Sequence, residues 1–227
     1  PNAFYAETRE ELNRLMEENI AVNDAVLLKG SSKTLLEQSV DMVYGTRMTD
    51  QRLLDEAEFK RVNHQGSVFN VFGSYATLIH GPKRRKTVHI PAKVSGMRVV
   101  NIGVAFTNSR IECIYMPQSI RHISSGCFKN CTSLSEINMP RDLRYIGAHA
   151  FEGCIRLQKV DLPNGLLQIG EEAFKKCKQM KTLYIPSTVV QIGDNAFSEC
   201  GNLTILCKEN SYAANWLAQH NIPFQFL

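Results

Sequence analysis

A chain of 227 residues with 44% hydrophobic and 21% charged content has the make-up of a folded protein, long enough for one elongated domain or two small ones. Its net charge of +4 is mild, so nucleic acid, which calls for a concentrated basic face, is not the expected partner. No run approaches the roughly 18 apolar residues of a membrane helix, and seven cysteines are too sparse for a small disulfide scaffold.

The chain opens on Pro1 without Met, which points to residues upstream and leaves the compartment open. The first 45 residues predict a helix–strand–helix unit. Thr8 can cap a helix, Glu11 sits three residues on, and Leu12, Leu15 and Met16 form its apolar stripe. Asn23-Asp24 then turns the chain into Ala25-Val26-Leu27-Leu28, a short apolar run typical of a buried strand. Lys29-Gly30-Ser31-Ser32 leads into a second helix through Leu35, Leu36, Val40 and Val43, ending at Gly45. The stretch Asp24 to Ser31 resembles the last segment of Mur ligases, specifically those that add D-alanyl-D-alanine to UDP-MurNAc-tripeptide. That family's ATP-binding loop and substrate domains are not in this sequence, so the resemblance implies a ligase tail and no ligase activity. It leaves a role for Lys29, Gly30 and Ser31 open. Residues 46–66 read as a linker with one helix, capped by Thr49 or Asp50, with Leu53, Leu54 and Phe59 apolar.

Residues 67–227 are the second unit. Val68–Phe72 and Tyr75–His80 flank Gly73-Ser74 and predict a hairpin that covers the first of a series of coils. The coils show as a repeat in the sequence. Pro117, Pro140, Pro163 and Pro186 lie 23 residues apart, as do Phe128, Phe151, Phe174 and Phe197, and Cys131, Cys154, Cys177 and Cys200. Ile123, Ile146, Ile169 and Ile192 keep the same step. One coil reads apolar-x-apolar-Pro-x-x-apolar-x-x-Ile-Gly-x-x-Ala-Phe-x-x-Cys-x-x-Leu. The alternation in Ile137-Asn138-Met139, Val160-Asp161-Leu162 and Leu183-Tyr184-Ile185 predicts a short strand that proline ends. The Ile-Gly step is expected to turn the chain on glycine's backbone freedom, and segments such as Glu171–Lys176 to form a turn of helix. A lone coil has nowhere to bury its apolar side, so coils must stack. A first, irregular coil keeps Val88, Ile90, Pro91, Ile102, Gly103, Ala105 and Phe106, with extra residues bulging near Val94–Arg98. At the far end Ser211 caps a helix to about His220, Asn221 stops it, and Ile222–Phe226 is a last strand. The fold class is therefore α/β, a leucine-rich-repeat-like solenoid of about five 23-residue coils with parallel short strands, preceded by the small helix–strand–helix unit.

The coil motif resembles the BspA-like leucine-rich repeat family of bacterial surface and secreted proteins, over about residues 69–227. The ending from Leu203-Thr204-Ile205 through Asn210-Ser211-Tyr212-Ala213 to Asn221-Ile222 is similar to that family's usual close. The resemblance implies a curved solenoid, adhesion to other proteins for some members, a surface or secreted location, and no catalytic residues. A true Mur ligase parent would instead imply the cytoplasm.

No catalytic motif, cofactor loop or metal-ligand spacing is visible, so no catalytic, cofactor-binding or metal residue is assigned. One cysteine per coil gives a ladder of singletons, read as small buried hydrophobes, although rung spacing also suits a disulfide between neighbours. Lys83-Arg84-Arg85-Lys86 is the densest basic run, and Lys175, Lys176, Lys178 and Lys181 form a second patch. The candidate partner-binding residues are Tyr115, Asn138, Asp161 and Tyr184, each set between two inward residues and hence in one outward column. Arg121, Arg144 and Tyr145 are placed at the neighbouring corner. The expected function is noncatalytic binding or scaffolding, with a protein or glycan partner held on the solenoid face. The alternative is a docking module on a Mur-type ligase fusion.

Overall fold

The computed structural model describes residues 59–72, 75–82 and 84–227. The helix–strand–helix unit, the Mur-like motif and most of the linker therefore lie outside the described residues. The linker's last residues differ from expectation, since Lys60–His64 is a strand, β1. Arg61, Val62 and Asn63 pair with Asn70, Phe69 and Val68 of β2 (Ser67–Val71), and β2 pairs antiparallel with β3 (Tyr75–His80) as the hairpin predicts.

The rest is a mostly-strand solenoid of about seven turns, against five expected, because two further strands stack in parallel on the last regular coil at the C-terminal end. Two strand rows run along it. The longer row joins β3 to β6 (Met97–Ile102), β8 (His122–Ile123), β10 (Tyr145–Ile146), β11 (Gln168–Ile169) and β13 (Gln191–Ile192), all parallel. These are the residues at and just before the Ile-Gly step. The extra residues of the first coil fold back as β5 (Lys93–Val94), antiparallel to β6. The second row holds the strands that precede the coil prolines and, at the C-terminal end, two strands that no proline follows. It is split into β4 (Thr87–His89), β7 (Cys113–Tyr115) and β9 (Glu136–Ile137), then β12 (Thr182–Ile185), β14 (Thr204–Cys207) and β15 (Phe224–Phe226). The strand expected at Val160-Asp161-Leu162 is reduced to one bridge, Lys159 to Thr182. One rung earlier, the Asn138 side chain already replaces the backbone ladder, taking both Met116 N–H (2.6 Å) and Met116 C=O (2.9 Å).

Two further expectations are corrected. The glycines of the Ile-Gly step do not turn the chain, because Gly147, Gly170 and Gly193 have no left-handed φ. They are small because the previous rung is close. A Cβ on Gly170 would stand 2.8 Å from Ala148 Cα and nearer still to Ala148 N and Gly147 C. The segment after each Ile-Gly step is a run of turns instead of a helix. Two left-handed residues per coil prevent helical continuation: Gly126, His149, Glu172 and Asn195 in one column, and Asn130, Gly153, Lys176 and Glu199 in another. The N–H groups here serve the next rung. His149, Phe151 and Gly153 donate to the carbonyls of Glu171, Ala173 and Lys175, and Glu172, Phe174 and Lys176 donate to Asp194, Ala196 and Ser198.

The interior follows from this stacking. Phe106, Phe128, Phe151, Phe174 and Phe197 form one pile, with centroids 5.3, 5.2, 5.2 and 6.1 Å apart and rings within 11° of parallel. Gly81 presses on the Phe106 ring at one end, where any Cβ would overlap it. At the other end Trp216 meets Phe197 edge-on at 6.3 Å. Trp216 belongs to α1 (Tyr212–Gln219), whose N-cap Ser211 accepts from Ala214 N–H at 3.2 Å. Asn221, at φ 54°, ends it as expected.

All seven cysteines are free. The Cys131, Cys154, Cys177 and Cys200 thiols donate to the carbonyls of Phe106, Phe128, Phe151 and Phe174 at 3.0–3.3 Å, each in the rung before. Burial pushes the Cys131 thiol up to about 12 and Cys200 up to about 11, so both stay protonated donors. The disulfide reading is set aside.

Candidate binding face

In β4, β7, β12 and β14 the buried Val88, Ile114, Leu183 and Ile205 alternate with less buried neighbours, so the residues on either side of them face outward. Register brings His89 opposite Tyr115, and Tyr184 opposite Leu206 and then Gln225. The predicted column is thus assembled in two segments. In the first, the His89 and Tyr115 rings stack at 4.7 Å and 19°, and Tyr115 Oη donates to Glu136 Oε1. That bond, with the nearby negative charge, raises the Tyr115 pKa above its usual value. Cys113 Sγ lies 3.8 Å from the other Glu136 oxygen. Tyr115 is therefore held in one orientation before any partner arrives. Asn138 follows it but commits its amide to Met116, so its role is to tie rungs together.

Asp161 sits at the break between the segments, exposed and 2.7 Å from Lys159 Nζ. Tyr184 begins the second segment, half-buried on β12. The other three predicted residues lie on the longer strand row. Arg121 is exposed just before β8. Arg144 is half-buried, with its guanidinium over Gly165 and Nη1 donating to Leu143 O at 3.3 Å. Tyr145 is buried on β10, edge-on to His122 at 6.1 Å. The structure thus brings Tyr115, Asn138, Asp161 and Tyr184 to one side, and it sets Arg121, Arg144 and Tyr145 apart from them. His89, Leu206 and Gln225 lie on the same side and were missed because the flanking coils depart from the 23-residue step. Glu136, in a regular coil, was missed because only residues set between two inward ones were read as outward.

The histidines show no ligand spacing in sequence, yet folding gathers His149, Glu152 and Glu172 with ligand atoms within 4.8 Å of one another. Both carboxylates already hold lysines. Lys129 Nζ is 2.7 Å from Glu152 Oε2, Lys175 Nζ is 2.8 Å from Glu172 Oε1, and His149 Nδ1 is 2.9 and 3.3 Å from the two acids. Burial raises the Glu152 pKa, but Lys129 and His149 outweigh it and the net movement is downward. Glu172 is lowered chiefly by its bond to Lys175. A dication here would have to displace ammonium groups, so the cluster is read as a charge bridge linking three coils. Among the described residues no helix is long and apolar enough to cross a membrane.

Comparison with known proteins agrees with this geometry. Residues 103–213 match the BspA type leucine rich repeat region in six copies. The chain is similar to the crystal structure of a leucine rich repeat protein of T. pallidum, with 26% identity, 65% of this chain and 71% of that chain covered, and a TM-score of 0.62. It is also similar to a leucine-rich repeat protein from Bacteroides ovatus, at 33% identity and a TM-score of 0.53, covering 65% of this chain but 38% of that one. No curated protein matches the sequence. The Mur ligase resemblance of residues 1–45 finds no support in these matches.

Proposed function

We infer that a chain carrying six copies of the BspA type repeat is a noncatalytic binding module, that it works at a cell surface or after secretion, and that it captures a protein on its second strand row. The observation that carries this reading is the fixed Tyr115. Stacked on His89 and bonded to Glu136, it has little freedom left to lose on binding. Tyr184 lies three rungs further along the same face, roughly 14 Å away at the usual strand spacing. Two aromatic anchors at that separation suit an extended protein surface, where such residues dominate the binding energy.

The test starts from a protein ligand selected on the intact chain from a displayed library. Tyr115→Ala and Tyr184→Ala should each weaken that ligand by about 30-fold, the effect of a typical interface anchor of about 2 kcal/mol. Circular dichroism should be unchanged. Binding that survives both substitutions removes this face from consideration. Labelling of intact cells by antibody to the repeats checks the location.

A further inference from the structure

A cleft of about 720 Å³ lies beside Lys159, whose single bridge to Thr182 marks the break in the second strand row. Lys159, Lys178 and Lys181 line it, with the amides of Gln158, Gln179 and Asn202, and Met180 and Gly201 complete the wall. No carboxylate is among the lining residues. Of the three ammonium groups only Lys159 has an acid beside it, Asp161 at 2.7 Å. Lys178 and Lys181 form no ion pair with the described residues. Lys175 and Lys176 of the same coil differ, being held by Glu172 at 2.8 Å and Glu199 at 3.9 Å. The basic patch seen in the sequence is thus two unlike pairs, one tied into the coil and one left facing a cavity. Cations gathered in a concave site repel one another and raise the local potential, and an anion in the cleft relieves both.

The rest of the lining narrows the class. Side-chain amides carry a donor and an acceptor together, as a sugar hydroxyl does, while lysine offers donors only. Gln158 Nε2 donates to Gln179 Oε1 at 3.3 Å, which leaves the Gln158 oxygen and the Gln179 NH2 for a ligand. No aromatic ring lines the cleft, so base stacking of the kind that holds single-stranded nucleic acid is not offered. We propose that this cleft binds an acidic saccharide, with carboxylate or sulfate groups on Lys178 and Lys181 and hydroxyls on the three amides. The site shares no residue with the Tyr115 and Tyr184 face, so it stands independently of the protein-binding reading.

A fluorescent heparin octasaccharide is titrated into the full chain at low and raised salt, beside hyaluronan and dextran oligosaccharides and a polyglutamate peptide. The parent should bind heparin, lose affinity with salt, and ignore dextran. The double variant Lys178→Gln/Lys181→Gln, altered only at exposed positions, should bind about tenfold more weakly, as expected for two lost solvent-exposed charge contacts. Arg84→Gln/Arg85→Gln, in the other basic run, should bind as the parent does, and so should Tyr115→Ala. The proposal is overturned if heparin does not bind at low salt, or if the lysine pair can be replaced without effect. It is equally overturned if the arginine pair matters as much, or if polyglutamate displaces heparin at equal concentration.

Discussion

Replacing Gly170 by alanine separates two reasons for a glycine in a turn-rich repeat. The added Cβ meets backbone atoms of the preceding rung at 2.8 Å or less, and contacts under 3.0 Å are essentially never seen. Backbone atoms cannot rotate aside, so the rungs must part locally. Overpacking a close contact costs about 1–3 kcal/mol, and obstruction by backbone places Gly170→Ala at about 3 kcal/mol or above. Gly126 supplies the contrast. Its φ is +65° and nothing lies within 4 Å of a new Cβ, so Gly126→Ala carries only the left-handed backbone term of about 1–2 kcal/mol. At about 2–4 °C per kcal/mol for a domain of this size, the melting point should fall by about 6–12 °C for Gly170→Ala and about 2–8 °C for Gly126→Ala. Thermal and urea unfolding would be followed by far-UV circular dichroism and by fluorescence of Trp216, the single tryptophan, which sits at the C-terminal cap. If Gly170→Ala proves as stable as the parent, or milder than Gly126→Ala, close rung approach is not why that glycine is there.

Stability should also fall on mild acidification because of His122. Burial lowers its pKa from 6.5 to about 4 in the folded chain, so the unfolded chain takes up the proton first. The penalty is absent above pH 6.5 and grows to about 3 kcal/mol as the pH falls towards 4. Glu152 and Glu172, whose pKa values are lowered, lose their contribution only at lower pH, from their ordinary 4.5 downward. Urea midpoints between pH 7 and 4.5 should therefore drop in the parent and stay nearly flat in His122→Phe. An equal slope in both would exclude His122 as the cause. For the thiols, a disulfide-exchange reagent should modify the half-buried Cys113 in the native protein and reach the other six only on unfolding. Rapid loss of four or more native thiols would contradict the buried ladder.

The 23-residue period made the stacked core legible in advance, since Phe151, Cys154, Leu157 and Ile146 are fully buried where the columns place them. The end cap was legible too, because Ser211 and Asn221 are strong local signals. The backbone of the turns was not. Its left-handed positions hold glycine and asparagine in some rungs but His149, Glu172, Lys176 and Glu199 in others, so no residue type marks them. The role of the Ile-Gly glycine was misread for a related reason, since close approach of a neighbouring rung leaves no trace in local sequence. On the candidate face, alternation pointed to Tyr115 and Tyr184. It did not show that Asn138 would turn its amide to Met116, or that the ladder would lapse at Asp161, because both depend on the adjacent coil.

The forward-donating turns have a consequence for how such a chain changes in length. Each regular winding hands three N–H groups to its successor and receives three from its predecessor. Excising or duplicating one whole period therefore leaves every donor with an acceptor, whereas cutting half a period strands them inside a dry wall. Gain and loss of material is thereby restricted to complete units, and a longer or shorter relative can arise in one step without passing through an unfolded ancestor.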